Sequence, residues 1–500
     1  DAAARPPAPT PRSAAAPAPV PAPVPPAFIL RDIRFLGPSA YRSPEELARI
    51  EAALTGRRYP VAGLADIAAA LTEAAYGELG IGTAQAVIRG VDPATGRVDV
   101  ELLEARIGDV RARGGVVSAE YLRHRLGLGA GALADNRRVA EAAERLQVTD
   151  GLPLTLSFAP GTARGTTDVI LAAEQPDRHV TLVTLDDYGS FDTGEVQLTL
   201  AHTVNSLTGW NDPLTLAATV SEGSQALTLS YGRVVSAGGA RLTAQLSGSR
   251  TENIDPPQVE GRTRSGNLTL TVPVIARADR TLSVSAGLAT FSERNTLLGV
   301  DILDQAGREV ALGVAGSVTA ARASVSGGLR LFAGAYDDDV FERGRDYTAL
   351  TFSLAPSALI GADAFVSATL GGQAALAGRM PSARLFDVAS PAAVRGYPTE
   401  IVSTDSAWYA RFQLDKATPW GAEDAALRLR PFAFYDTGEG YDSDGAGLGR
   451  LSSAGAGLQL TAGERVFGDI YVARPLTTDI VGWQDPDEAW VLRGALSVRF

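Results

Sequence analysis

Alternation of apolar and polar residues, repeated from about residue 178 to the end of the chain, constrains the fold more than any other feature of the sequence. About sixteen segments of roughly ten residues show it, among them HVTLVTLDD, EVQLTLAHT and WVLRGALSVRF. A period of two is that of a β-strand whose two faces meet different surroundings. An even number of such strands is typical of a closed antiparallel barrel in a bacterial outer membrane.

The last segment shows which face would meet lipid. Its apolar residues share one face: Trp490, Leu492, Leu496, Val498 and Phe500. Its polar residues, with the arginines of several late segments, fall on the other face: Arg411, Arg428, Arg430, Arg493, Ser497 and Arg499. A soluble β-sandwich would alternate similarly, but a packed core does not tolerate so many arginines, whereas a water-filled lumen does.

Composition excludes several classes of function. The 500-residue chain has a formal net charge of -12 and no cysteine, and its three histidines lack any metal-site spacing. A nucleic-acid-binding protein would normally be basic, and cysteine nucleophiles and cysteine-ligated zinc are impossible. Because no G-x-S-x-G motif is present either, we expect no enzymatic activity, no cofactor and no metal. No run of about 18 apolar residues occurs, so the chain would cross a membrane only as a barrel.

The amino-terminal third predicts a linker and two α+β modules. Residues 1–27 are rich in proline and alanine, and the start at Asp1 is expected of an exported protein that has lost its signal peptide. Residues 28–104 and 105–177 each predict the order strand, helix, helix, strand, strand. The barrel is predicted over residues 178–500. In the first module, Ser43-Pro44-Glu45-Glu46 predicts a capped helix start.

The second module repeats these signals. Ser118 is predicted to cap a helix that ends at Leu126, and Asp135 a helix that ends near Leu146. The run GLGAG between these two helices is interpreted as a loop, because no strand precedes it as a phosphate-binding loop requires.

Four long polar connections are predicted to lie on the outer side of the membrane, and short turns on the other. They are DYGSFDTG, YDDDVFERGRD, the region 378–404 and GEGYDSDGAGLG. Two of them carry acidic clusters, Asp337-Asp338-Asp339 and Asp442 with Asp444. Bound calcium and solvated loop tips both fit these clusters.

One arginine, Arg395, lies in the connection before the predicted twelfth strand, in the stretch PAAVRGYPTE. In the thirteenth strand, the residues of inward parity are Arg428, Arg430, Phe432, Phe434, Asp436 and Gly438. A connection that folds back into the lumen would bring Arg395 to Asp436. A buried charge of this kind is costly unless it is paired, so we expect one lumenal ion pair.

These residues resemble a known family, the two-partner secretion transporters called TpsB, which are the haemolysin and filamentous-haemagglutinin secretion/activation proteins. The resemblance rests on V-R-G-Y before the twelfth strand and F-x-D-x-G in the thirteenth. DDYGSFDTG (186–194) resembles the family's first-hairpin motif, and PGTARGTTD (160–168) the close of its second POTRA domain. The residues that match the two main motifs are Val394, Arg395, Gly396 and Tyr397 in the connection, and Phe434, Asp436 and Gly438 in the strand.

The resemblance implies a membrane β-barrel of about 16 antiparallel strands preceded by two periplasmic POTRA domains. It also implies an outer-membrane transporter of Gram-negative bacteria, which secretes a large unfolded partner protein without ATP. Its periplasmic domains would bind the partner's amino-terminal secretion domain. We expect a monomer that contacts outer-membrane lipid and binds no nucleic acid.

The sequence departs from the family in two places. The run DVASPAAVRGY lacks the paired glycines that often precede V-R-G-Y, and the proline-rich start lacks the helical pattern of a plug. An assembly factor of the same superfamily and a passive pore remain alternatives.

Overall fold

The computed structural model describes residues 27–416, 420, 427–477 and 490–500. The predicted linker, apart from Ala27, lies outside the described residues. The chain divides into two compact units. The first unit extends to Arg106 and includes residues 133–137 and 163–167; the second holds residues 107–132, 138–162 and 168–500. The second unit therefore combines most of the second module with the barrel.

The first module is an α+β fold. Its elements are β1 (Ala27–Ile29), β2 (Asp32–Phe35), α1 (Pro44–Leu54), β3 (Arg58–Pro60), α2 (Leu64–Thr72), β4 (Ala84–Asp92) and β5 (Arg97–Glu104). The sheet has the order β2-β5-β4, and β1 pairs with β3. The predicted capping box is present, because Ser43 Oγ accepts from Glu46 N and the Glu46 carboxylate accepts from Ser43 N. Buried side chains such as Ile67, Leu71 and Val98 form the core between helix and sheet.

The second module contains β6 (Arg106–Arg113), α3 (Ala119–Leu126), α4 (Asn136–Asp150), β7 (Leu154–Pro160) and β8 (Thr166–Ala173). Its sheet has the order β6-β8-β7. Ser118 caps α3 as predicted, accepting from Tyr121 N at 3.1 Å. Helix α4 continues past the predicted end at Leu146, and Gly151, with φ of +66°, follows it. None of the described helices is long and apolar enough to cross a membrane.

The rest of the described chain forms a closed barrel and one internal hairpin. The strands are β9 (His179–Asp186), β10 (Gln197–Val204), β11 (Leu214–Val220), β12 (Ser224–Val234), β13 (Arg241–Glu252), β14 (Val259–Arg277), β15 (Arg280–Leu297), β16 (Val300–Thr319), β17 (Ala323–Asp338), β18 (Arg343–Ile360), β19 (Ala364–Ala377), β20 (Phe386–Asp387), β21 (Ser403–Thr404), β22 (Ser406–Lys416), β23 (Arg428–Tyr441), β24 (Gly447–Ala462), β25 (Val466–Pro475) and β26 (Val491–Arg499). All except β20 and β21 belong to the barrel, and β26 pairs with β9 to close it. The predicted sixteen-stranded antiparallel barrel, preceded by α+β modules, is therefore confirmed.

The prediction of strands of roughly ten residues is wrong for the middle of the barrel. Strand β16 has 20 residues, and β14, β15 and β18 have 18 or 19. The hairpins continue their ladders beyond the apolar band, so polar residues predicted to be loop are strand. The connection YDDDVFERGRD, for example, is mostly strand, and only 339–342 joins β17 to β18. The alternating pattern therefore shows which part of a strand contacts lipid. It does not show where the hydrogen-bonded ladder ends.

The two faces of the barrel differ in chemistry, as the alternation predicts. Outward leucines such as Leu268 and Leu288 are exposed and lie opposite each other on β14 and β15. Inward positions carry hydroxyls that pair across strands, as Thr199 does with Thr219 at 2.9 Å. Cross-strand hydroxyl pairs satisfy each other without placing a charge in the wall.

Candidate functional site

The connection between β19 and β22, residues 378–405, is folded against the inner wall of the barrel; it is called the lumenal loop below. Its short strands β20 and β21 pair with each other. A buried apolar cluster joins the loop to the wall: Val388, Ala389, Val394, Tyr397 and Val402 from the loop, with Ala407 and Leu451 from β22 and β24. The loop is thus a packed element inside the barrel.

Arg395 and Asp436 form the ion pair that the sequence predicts. Arg395 Nε lies 2.7 Å from Asp436 Oδ2, and Nη2 lies 3.0 Å from Oδ1. The backbone N–H of Arg395 also donates to Oδ2 at 3.2 Å. The Arg395 side chain is 5% exposed and that of Asp436 is fully buried. A two-pronged contact of this kind fixes orientation as well as distance, so it sets the register of the loop on β23.

The Arg395 guanidinium also lies on an aromatic surface. Its Cζ is 3.6 Å from the centre of the Phe434 ring, and Phe434 packs edge-to-face on Tyr471 at 5.6 Å. Nη1 donates to Gln413 Oε1 at 3.0 Å. The ring faces replace water around the cation and add a cation–π attraction. This contact explains why the barrel-wall motif includes a phenylalanine two residues before the aspartate.

Both motif glycines lie where the loop and the wall approach most closely. A Cβ on Gly438 would lie 2.9 Å from Val388 Cγ1 and 3.0 Å from Val394 Cγ2, so the missing side chain makes room for two loop valines. Gly396 has φ of +89°, and a Cβ there would lie 2.9 Å from Ala473 Cβ on β25. A side chain at either position would push the loop off the wall.

Tyr397 joins the loop to β24 and to the residues that follow β25. Its hydroxyl accepts from Ser452 N at 3.1 Å and lies 2.7 Å from Ser452 O and 2.8 Å from Thr477 O. A phenol has one proton, so it donates to one of these carbonyls at a time. Residues 394 to 397 therefore all contact the wall, each through a different kind of interaction.

Arg411 on β22 has a role that the sequence did not indicate. Its Nη1 donates to the carbonyls of Pro391 and Ala392, both at 3.0 Å, and its Nε lies 3.9 Å from Asp436 Oδ2. Parity placed Arg411 in the lumen, but no sequence pattern reveals a side chain that binds loop carbonyls. Two arginines thus converge on Asp436 while one of them also holds the loop backbone.

A second polar anchor holds the loop to another part of the wall. Arg384 Nε lies 2.8 Å from Glu309 Oε2, and Arg330 Nη2 lies 2.7 Å from Oε1. Tyr347 donates to Oε2 at 3.1 Å, and the Glu309 side chain is fully buried. The loop is consequently fixed to β16 as well as to β23.

The carboxyl-terminal residues lie as the alternation predicts. Trp490, Leu492, Leu496 and Phe500 are exposed on the outer face, and Val498 has the same parity. The Phe500 backbone N–H donates to Thr181 O at 2.8 Å, across the closing pair of strands. These residues therefore sit at the β26–β9 junction that closes the barrel.

The two weaker motifs also have defined contacts. In the first-hairpin motif, Asp187 Oδ1 accepts from Gly494 N at 2.8 Å, and Arg493 Nη1 donates to Asp187 O at 2.9 Å. At the close of the second module, Asp168 accepts from Asp109 N at 3.0 Å and from Arg111 at 2.8 Å. Asp187 thus joins the β9–β10 connection to β26, and Asp168 joins β8 to β6.

The acidic clusters have hydrogen-bond partners within the protein. Asp338 accepts from Gln305 Nε2 at 3.0 Å, and Asp442 accepts from the backbone of Asp444 and Ala446 at 3.0 and 2.8 Å. Within the described residues, no group of three or more histidine, cysteine, aspartate or glutamate side chains is arranged to hold a metal.

The sequence of the barrel is similar to that of a known protein family. The family model described as haemolysin secretion/activation protein ShlB/FhaC/HecB matches residues 165–460. A comparison with curated proteins found no match.

Solved structures share the fold. CdiB from Escherichia coli is 19% identical over 98% of this chain and 93% of its own, with a TM-score of 0.71. CdiB from Acinetobacter baumannii is 18% identical over 95% and 90%, with a TM-score of 0.65. BamA from Haemophilus ducreyi lacking POTRA domains 1-3 is 12% identical over 95% and 100%, with a TM-score of 0.56.

Proposed function

The chain belongs to the haemolysin secretion/activation protein family ShlB/FhaC/HecB, a family of outer-membrane transporters, and we propose that it secretes one large partner protein through its barrel. The partner passes in an unfolded state across the outer membrane of a Gram-negative bacterium, as a toxin, haemolysin or adhesin does. Its folding outside draws export forward without ATP. The protein works as a monomer and catalyses no reaction.

The observation that carries this proposal is the lumenal loop. Its V-R-G-Y residues are joined to the F-x-D-x-G residues of β23 by a buried ion pair with a nitrogen–oxygen distance of 2.7 Å. A barrel that served only as an open pore would gain nothing from an internal element fixed through paired, desolvated charges, because such pairs contribute specificity more than stability. A loop in one defined position suits a conduit that must stay closed until its partner arrives.

The two α+β modules supply the receptor in this proposal. Exposed sheet edges accept an extended chain as an additional strand through backbone hydrogen bonds, with side-chain pockets adding specificity. The secretion domain at the partner's amino terminus binds there first. The modules lie on the periplasmic side, where the partner is still unfolded.

The test is deletion of the gene in the bacterium that carries it, followed by comparison of the proteins in the culture medium. Loss of one large protein from the medium, restored by the intact gene and not by Arg395→Ala, is the expected result. Arg465→Ala, a charge removal in the exposed turn between β24 and β25, is the matched control. An unchanged set of secreted proteins would contradict the proposal.

An assembly factor for other barrels is the second candidate, because BamA shares the fold. The same experiment separates the two functions. Deletion of an assembly factor lowers the amount of many outer-membrane barrels, whereas deletion of a dedicated secretion protein leaves them unchanged.

A further inference from the structure

Arginines lie side by side on the outer face of the barrel, near the end that carries the lumenal loop. Arg250 on β13 is directly opposite Arg262 on β14, and Arg262 is directly opposite Arg294 on β15. Neighbouring strands are about 4.8 Å apart, and like charges directly opposite each other are destabilising. Three arginines in one row therefore repel one another unless anions lie between them.

The protein supplies such anions at the two ends of the row. Arg250 Nη2 lies 3.7 Å from Glu260 Oε2. Arg294 Nη2 lies 2.5 Å from Asp301 Oδ2, and Arg294 Nε lies 3.4 Å from Asp304 Oδ2. The ends of the row are thus neutralised within the protein.

Three further arginines on this face are not neutralised within the protein: Arg262 in the middle of the row, and Arg264 and Arg308 nearer the apolar band. Arg262, Arg264 and Arg308 are exposed. The side chain of none of them has a hydrogen-bond or ion-pair partner among the described residues. Arg262 and Arg264 lie on β14 and Arg308 on β16, with β15 between them, so they are about 10 Å apart across the strands. Along the strands, Arg308 is offset by about 7 Å from Arg264 and by about 14 Å from Arg262. Three unpaired guanidinium groups on one face form a site for an anion with several oxygens.

The level of these arginines on the barrel points to the kind of anion. Leu268, Leu288 and Val310 lie opposite one another on β14, β15 and β16 and form a row of the apolar band. At about 3.4 Å per residue along strands tilted by about 40°, Arg308 lies about 5 Å above this row, Arg264 about 10 Å and Arg262 about 16 Å. That is the level at which the surroundings change from acyl chains to lipid headgroups.

The surface between the arginines is concave. A shallow groove of about 640 Å³ has Arg264 and Arg308 in its lining, together with Gly266 and with Asp337 of β17. A second groove of about 670 Å³ shares Gly266 and Arg308 with the first. The two depressions are therefore contiguous along the wall.

The second groove is apolar. Leu268, Leu288 and Val310 line it, together with Ala289 and Ala333. A molecule that fills both grooves must be polar and anionic at one end and apolar at the other.

We propose that this surface binds an anionic membrane lipid, one whose headgroup carries phosphate without a compensating cation. The guanidinium groups of Arg262, Arg264 and Arg308 hold phosphate oxygens, and an acyl chain lies along the apolar groove. Arginine suits phosphate because its N–H fork matches two oxygens at once. The bound lipid also separates the three unpaired cations, so it stabilises the β14–β16 part of the wall.

The test uses the full-length protein purified in a non-ionic detergent and a fluorescent diphosphoryl lipid A as the probe. Arg262→Gln with Arg264→Gln is compared with Arg277→Gln and Arg280→Gln, which remove the same charge from the same two-strand hairpin at its other end. We expect roughly 25-fold weaker binding for the first pair, about fivefold for each arginine near an anionic membrane surface. The control pair should bind as the unaltered protein does, and Arg308→Gln alone should bind about fivefold more weakly.

Three comparisons with the unaltered protein complete the test without relying on any variant. Lipid A stripped of phosphate and phosphatidylcholine should compete poorly, and inorganic phosphate should compete only at far higher concentration than the lipid. Equal binding of the dephosphorylated lipid would overturn the proposal, because the acyl chains alone would then account for it. Competition by phosphate and lipid at the same concentration would overturn it too, since the site would then bind a free anion. Equal loss in the control pair would show a nonspecific effect of charge.

Discussion

At the scale of single residues, Asp436 is the point where the loop's hold on the wall is concentrated. It accepts three hydrogen bonds from Arg395, and Arg411 approaches it at 3.9 Å. Asp436→Asn keeps the shape and removes the charge, leaving the Arg395 guanidinium buried without its counter-ion. We expect reduced secretion of the partner protein while the barrel still folds, because removing one member of a buried pair costs about 3–5 kcal/mol.

The measurement is the amount of partner protein in the medium, with heat-dependent migration of the transporter in gels as the check on barrel folding. Arg395→Ala, Asp436→Ala and the double variant complete the set. Since either single loss already breaks the pair, the double variant should be less impaired than the sum of the singles. Additive losses would mean that the pair does not act as a unit.

Gly438 tests the close approach of loop and wall without any charge. Gly438→Ala places a Cβ 2.8 Å from Trp408 O and 2.9 Å from Val388 Cγ1. We expect the loop to be displaced and secretion to fall, at a cost of about 1–3 kcal/mol for overpacking. Gly232→Ala is the matched control, because the nearest atoms to its Cβ are 3.5 Å away. Similar secretion by both variants would leave Gly438 without a special role.

The sequence predicted a contact between two residues where strand alternation showed which face one residue lies on and a motif identified its partner. Parity alone placed Asp436 inward, and V-R-G-Y supplied Arg395. Glu309 has the same kind of inward parity, but its partner Arg384 lies in a long connection whose path no local pattern specifies. A contact between distant segments becomes visible only when the loop's fold is known.

At the scale of elements, β26 joins the two ends of the barrel through only part of its length. It pairs with β25 from Val466 to Ala473, but with β9 only from Asp186 to Leu182. Leu496 belongs to both pairings, faces outward and is 45% exposed. Because this closing contact is short, a change on the lipid face of β26 tests assembly of the barrel.

Leu496→Arg should therefore impair assembly. An arginine on the lipid face costs roughly 2–4 kcal/mol near the middle of the bilayer. The measurement is the folded fraction in membranes, again by heat-dependent migration. Ala495→Arg, on the lumenal face of the same strand, is the matched control and should assemble better. A protein with Leu496→Arg that assembles normally would contradict the assigned lipid face.

The anchor at Glu309 makes the lumenal loop an element with two attachment points. Glu309→Gln removes the charge that Arg384 and Arg330 share, and leaves the partly buried guanidinium of Arg384 and the exposed guanidinium of Arg330 beside an amide. We expect a higher ion conductance of the purified protein in planar bilayers, because the Arg384 end of the loop is released into the lumen. Glu252→Gln, a carboxylate exposed at the end of β13, is the control. Unchanged conductance with Glu309→Gln would show that the loop keeps its position without this anchor.

The element scale also shows where the alternating pattern was insufficient. It identified every barrel strand, because the two faces of each meet different surroundings over the apolar band. It underestimated β14 to β18, because above that band both faces meet water and the pattern fades while the ladder continues. Lumen-facing hydroxyls and arginines likewise look alike in sequence, although only some of them contact the loop.

At the scale of the whole molecule, the second unit shows how the second module is joined to the barrel. Arg125 on α3 is buried against Asp150 at 3.2 Å and donates to the carbonyl of Ala237, in the turn between β12 and β13. Nearby, Trp210 of the β10–β11 turn packs edge-to-face on Tyr121 at 5.7 Å. Burial, and then the Asp150 carboxylate, raise the pKa of Tyr121, so its hydroxyl stays protonated and donates to Asp150. A buried charge cluster thus fixes the second module to two turns of the barrel.

Arg125→Ala leaves Asp150 buried without its cation and removes the hydrogen bond to the turn. We expect a loss of about 3–5 kcal/mol in the attachment of the module, because one member of a buried pair is removed. Limited proteolysis of the full-length protein should then cut the second module faster while the barrel stays intact, and secretion should fall. Arg123→Ala is the matched control: Arg123 is exposed on the same helix and donates to Val110 O at 2.9 Å, within the module itself. Faster proteolysis with normal secretion would show that the partner protein needs no fixed module, and would separate capture of the partner from its passage through the barrel.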